Sequence, residues 1–126
     1  MKILILGIDG MIGHKIAQSL SEDFILTGST RKNISNSDIG IKNCNLITHN
    51  FTTDNTLTLL DNINPDIIIN CVGITIRRGL NNDQNHTELL NSKLPHKLNK
   101  WVVNNQKKLI HFSTDCVFSG KKGNYF

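Results

Sequence analysis

Apolar residues come in short unbroken runs separated by stretches that carry them at helical spacing. Lys2-Ile3-Leu4-Ile5-Leu6-Gly7 is continuous and ends in glycine, the pattern of a strand buried on both faces of a parallel sheet. From Met11 to Ser21, Ile12, Ile16, Ala17 and Leu20 recur as one helical face, and Phe24 to Ser29 returns to strand character. Residues 30–43 are polar and irregular and read as a loop into a third strand, Cys44 to Thr48. A short helix is expected from Thr53 to Asn62, closed before Asn64-Pro65 because proline disfavours helical geometry in the residue before it. Asp66 to Gly73 is a fourth buried strand. Leu90, Leu94, Leu98, Trp101 and Val102 mark one face of a long helix, expected to bend near Pro95, and Trp101 is expected in the core. Lys108 to Ser113 makes a fifth strand.

Strands alternating with helices imply an α/β fold, a doubly wound parallel Rossmann-type sheet, and right-handed crossovers lead to the order 3-2-1-4-5. At 126 residues one domain is expected, with no repeat or linker visible. No run is long enough for a signal peptide or a membrane span, so a cytoplasmic protein without membrane partners is expected. Cys44, Cys71 and Cys116 form no CxxC pair, and the five histidines show no ligand spacing; reduced thiols and no metal are expected. The net charge of +4 is spread over small groups such as Arg31-Lys32, Arg77-Arg78 and Lys121-Lys122, which favours small phosphorylated ligands over nucleic acid.

The candidate chemistry starts at Gly7-Ile8-Asp9-Gly10-Met11-Ile12-Gly13, directly after strand one and at the mouth of the first helix. Gly7 permits the tight turn, Gly10 lets the backbone approach a pyrophosphate, and Gly13 lets the helix lie close to the strand. The end of strand two reads Gly28-Ser29-Thr30-Arg31-Lys32. No carboxylate is available there for ribose hydroxyls, and Arg31 suits a 2′-phosphate, which points to NADP with NAD as the alternative.

The glycine turn, Asn-Pro-Asp-Ile-Ile-Ile-Asn-Cys-Val-Gly at 64–73, Asn91 with Pro95 in the long helix, and Ser113-Thr114-Asp115-Cys116-Val117-Phe118 together resemble the dTDP-4-dehydrorhamnose reductase family of extended short-chain dehydrogenases. The resemblance runs from Met1 to the end of the chain. It implies NADPH-dependent reduction of a keto group on a nucleotide-linked deoxysugar, in surface polysaccharide synthesis, and it allows a homodimer of the parent protein. By the same resemblance the Thr114 hydroxyl hydrogen-bonds the substrate carbonyl, and cofactor contacts fall on Met11 and Ile12, on Asn50 and Phe51, and on Val72, Gly73 and Ile74. The family also uses a Tyr-x-x-x-Lys pair as proton donor and its partner, which this sequence lacks; Tyr125 is its one tyrosine. The expectation is therefore an N-terminal portion of a longer protein, inactive by itself and without its substrate domain. A non-catalytic NADP-binding module similar to the regulatory subunit of methionine adenosyltransferase, or a related sugar-nucleotide epimerase or reductase, is the alternative.

Overall fold

The computed structural model describes residues 1–73 and 88–112. Strands β1 (Ile3–Leu6), β2 (Leu26–Thr30), β3 (Cys44–Thr48), β4 (Ile67–Asn70) and β5 (Lys108–His111) alternate with helices α1 (Met11–Leu20), α2 (Asn36–Ile39), α3 (Thr56–Ile63) and α4 (Leu94–Asn105). The sheet has the order β3-β2-β1-β4-β5, and its four strand pairs are parallel. Leu6 is level with Ser29 on one side and Asn70 on the other. The described strands thus end along one edge, where open α/β sheets place their ligands.

The continuous run in β1 follows from its central place. Ile3 and Ile5 belong to a core with Ile8, Ala17, Leu26 and Ile69, while Leu4 and Leu6 join a second core with Leu60, Ile68, Leu94, Leu98 and Trp101. Alternate residues of one strand therefore feed opposite layers, and each fully buried aliphatic side chain contributes about 1.5–3 kcal/mol. Leu90, Leu94, Leu98, Trp101 and Val102 are buried together as expected. Trp101 also donates from Nε1 to Asp61 Oδ1 at 2.8 Å, tying α4 to α3.

Three local features differ from the sequence reading. Within the expected loop 30–43, α2 forms one turn closed by a capping box, in which Ser35 accepts from the Asp38 amide and Asp38 accepts from the Ser35 amide. Gly40 ends this turn at φ 70°, and Ile39 and Ile41 anchor it in the core. The long helix starts as a π-helical segment, Leu89–Lys93, and becomes α-helical from Leu94, with Pro95 in its first turn. The ladder changes register where proline lacks its N–H, so the accommodation is a change of helix type at the entry to α4. Ile12, expected on the apolar face of α1, is 48% exposed.

Candidate functional site

The site is built around the turn from β1 to α1. Gly7 has φ 79°, which favours a residue without Cβ. Its amide donates to the Ser29 carbonyl at 3.1 Å and lies 3.3 Å from Ser29 Oγ, and the Ile8 amide donates to the same carbonyl at 3.0 Å. The turn is thereby bound to the end of β2. Gly13 packs so tightly on Gly7 that a Cβ would strike the Gly7 carbonyl.

Gly10 is the N-cap of α1; it provides no side-chain cap, and the first helical turn contains no acidic residue. That end keeps the partial positive charge of its amides, the chemistry that binds a phosphate. Met11 is 89% exposed beside it. A pyrophosphate fits this cradle: the backbone is bare at Gly10, where, among the described residues, a Cβ would meet just the Gly7 carbonyl oxygen, at 3.3 Å.

The other expected residues fall along the same edge. Arg31 is exposed immediately after β2. Asn50 and Phe51 follow β3, both partly buried. Asn50 Oδ1 accepts from the Thr52 amide at 2.9 Å and from the Thr52 hydroxyl at 2.6 Å, so its side chain closes the loop. Val72 and Gly73 follow β4, and a Cβ on Gly7 would come 3.2 Å from Val72 Cγ2. The structure therefore brings together Gly7, Gly10, Met11, Ile12 and Gly13 with the ends of β2, β3 and β4. Ile74 and Thr114 lie outside the described residues.

Two buried polar residues beside these strand ends escaped the sequence reading. Asn70, fully buried at the end of β4, accepts from the Val72 amide at 3.1 Å through Oδ1, and its Nδ2 lies 3.1 Å from His111 Nδ1. It fixes the bend that carries Val72 and Gly73; its signal was a polar residue closing three isoleucines. His49, 5% exposed at the end of β3, has Nε2 3.1 Å from Thr56 Oγ1 and Nδ1 3.9 Å from Asp54 Oδ2. Burial pushes its pKa below the ordinary histidine value, against a smaller upward pull from Asp54.

Cys44 and Cys71 are free thiols. Burial raises the Cys71 pKa to about 11, which leaves it protonated and without nucleophilic character near neutral pH. Among the described residues no group of three histidine, cysteine or acidic side chains could hold a metal. No helix among them is long and apolar enough to cross a membrane.

A parallel sheet ordered 3-2-1-4-5, with a glycine turn leading into an uncapped helix at its carboxyl edge, defines a Rossmann-type α/β domain. The chain belongs to the family described as the RmlD substrate binding domain, which matches residues 1–126, and this bears out the resemblance to dTDP-4-dehydrorhamnose reductases. A probable low-salt glycan biosynthesis reductase of Haloferax volcanii is 24% identical over 127 residues, covering 100% of this chain and 41% of the relative. A hypothetical dTDP-4-dehydrorhamnose reductase from Sulfolobus tokodaii superposes with a TM-score of 0.77 at 24% identity, over 100% of this chain and 44% of the other. The UDP-glucuronic acid 4-epimerase of Bacillus cereus, solved with NAD, gives 0.70 at 21% identity, over 100% of this chain and 43% of the other. The chain thus spans less than half the length of these relatives, and at such identities the structures establish the fold.

Proposed function

We propose that this chain is the cofactor-binding portion of an NADPH-dependent reductase acting on a keto group of a nucleotide-linked deoxysugar. The observation that carries the reading is the bare Gly7–Gly13 turn, with the uncapped N-terminus of α1 behind it and Arg31 beside it at the end of β2. In this reading the amides at the start of α1 hold the pyrophosphate. Arg31 binds the 2′-phosphate, Asn50 and Phe51 flank the adenine, and Val72, Gly73 and Ile74 border the path toward the nicotinamide. The bound dinucleotide supplies the hydride. Thr114 orients the substrate carbonyl by hydrogen bonding, and proton donation requires a group beyond those named here, so residues 1–126 alone are proposed not to turn substrate over. The names of the Haloferax and Sulfolobus relatives support the reductase class.

Fluorescence titration of NADPH and NADH against the protein and Arg31→Ala tests the reading. NADPH should bind more tightly to the parent, and the substitution should erase about tenfold of that difference, the size of one charge-assisted contact. Equal affinities for both cofactors in the unsubstituted protein would overturn the NADP assignment, and the absence of binding by either would overturn the cofactor reading.

A further inference from the structure

The residue that follows β3, His49, carries a buried polar side chain and stands between two other buried polar residues, Thr30 and Thr56. The His49 amide donates to the carbonyl of Thr30 at 2.9 Å, the residue next to Arg31. Its ring reaches the opposite way, with Nε2 at the hydroxyl of Thr56, itself 2% exposed in the first turn of α3. The ring also meets Phe51 edge-on, with centroids 4.6 Å apart and planes at 68°.

Between these contacts runs the segment 50–55, which is closed on itself. The Asn50 amide donates to Asp54 Oδ2 at 2.8 Å, and the Asn50 carbonyl accepts from the amides of Thr53 and Asp54. His49 joins this closed loop to β2 on one side and to α3 on the other. An apolar side chain of similar size could fill the space, but it would leave the Thr56 hydroxyl buried without this partner and would not fix the ring against Phe51.

We infer that His49 is a positioning residue for the adenosine end of the cofactor, setting the loop that carries Asn50 and Phe51 relative to Arg31. This rests on the cofactor reading above. His49 touches no ligand in this scheme; it acts through the loop. Its charged neighbour in the loop is Asp54, β2 continues into the exposed cations Arg31 and Lys32, and α3 presents the uncharged Thr56. Protonation of His49 would place a second donor proton and a charge in this buried junction, which burial disfavours.

The test uses the complete protein with His49→Phe, which keeps volume without the hydrogen bond, and His49→Gln, whose amide can still reach Thr56 and does not titrate. Affinities are measured for NADPH, for 2′,5′-ADP as the adenosine half, and for reduced nicotinamide mononucleotide as the other half, together with the unfolding midpoint. His49→Phe should weaken NADPH and 2′,5′-ADP alike by about tenfold, the scale of one lost buried hydrogen bond, and leave the mononucleotide unchanged. His49→Gln should recover most of that loss.

As pH falls from about 7.5 through the lowered range in which His49 takes up its proton, wild-type affinity for 2′,5′-ADP should fall more than that of His49→Gln, since the ligand's own phosphate titrates alike in both. Unchanged 2′,5′-ADP affinity in a folded His49→Phe overturns the inference. Should that variant not fold, a pH profile of His49→Gln parallel to wild type overturns it instead. Wild-type protein that binds neither NADPH nor 2′,5′-ADP overturns the cofactor reading, a result distinct from the other two.

Discussion

Gly13 rests directly on the Gly7 carbonyl: a Cβ at position 13 would lie 3.0 Å from the Gly7 carbonyl carbon and closer still to its oxygen. The contact is backbone against backbone, so no side chain can move aside to relieve it. Gly13→Ala should therefore push α1 away from β1 and destabilise the fold by about 1–3 kcal/mol, the range of overpacked cores. Gly40→Ala is the matched control, since among the described residues a Cβ there meets nothing within 4 Å and the strain comes from φ alone, about 1–2 kcal/mol. Denaturant unfolding should show both losses, and cofactor titration should show a loss of affinity for Gly13→Ala alone. Equal cofactor affinity in Gly13→Ala and Gly40→Ala would detach the close packing from the proposed site.

A second prediction concerns the contact between Trp101 and Asp61. Trp101 is 5% exposed and is the one tryptophan in the chain, so its emission reports this junction alone. Asp61→Ala removes the acceptor of the indole N–H while leaving the ring buried. The expected cost is about 1 kcal/mol, less than a fully buried charged hydrogen bond because Asp61 is exposed. Native-state emission should change while the unfolded-state spectrum stays the same. An unaltered native spectrum and midpoint would mean that packing, rather than this bond, holds α4 to α3.

Acid should destabilise the protein in two steps. The His49 pKa is lowered in the folded state, so below the ordinary histidine range the unfolded chain binds more protons. That stability is fully present above about pH 6.5 and declines as pH falls toward the depressed folded value. Asp66 is held below the usual carboxylate range by the Lys2 amide first and then by hydrogen bonding to Lys107. Its contribution is present above the unfolded carboxylate pKa and disappears as pH falls through the lowered one. His49→Gln should abolish the first step and Asp66→Asn the second, as read from unfolding midpoints across pH. A His49→Gln profile that keeps the first step would assign it to another group.

The sheet was legible because β1 and β4 are buried on both faces and so carry unbroken aliphatic runs, and because Leu90 through Val102 repeat at helical spacing. β3 was placed to its observed ends, Cys44 and Thr48. α2 was not legible, since its stability resides in the Ser35–Asp38 box and two anchoring isoleucines rather than in any periodic stripe. The glycine turn was legible from spacing and context together. Asn70 and His49 were not: Asn70 meets His111 across 41 positions of sequence, and the His49 amide meets Thr30 across the sheet while its ring contacts depend on how the segment 50–55 closes. Sequence spacing does not encode such pairs.

Asp9 supplies the last prediction, because its sign runs against stability-based intuition. It stands exposed in the middle of the turn from β1 to α1, between Ile8 and Gly10, at the end of the helix whose amides are proposed to hold a pyrophosphate. As an acid just before a helix, Asp9 interacts favourably with the helix dipole, and Asp9→Asn should cost the folded chain a few tenths of a kcal/mol, near the low end of about 0.3–1 kcal/mol for such sites. Toward a dinucleotide the same charge is repulsive. Two like unit charges about 7 Å apart in water repel by roughly 0.6 kcal/mol, so Asp9→Asn should tighten NADPH binding by about two- to threefold at low salt. The gain should shrink as ionic strength rises and the Debye length falls to about 8 Å near 0.15 M and about 3 Å at 1 M. Titrating NADPH against both proteins across salt concentrations checks this, with reduced nicotinamide riboside, which carries neither phosphate nor net charge, as a control that should show no gain. Weaker NADPH binding in Asp9→Asn at low salt would mean that the carboxylate donates no repulsion to the ligand and that the phosphates do not lie over this turn.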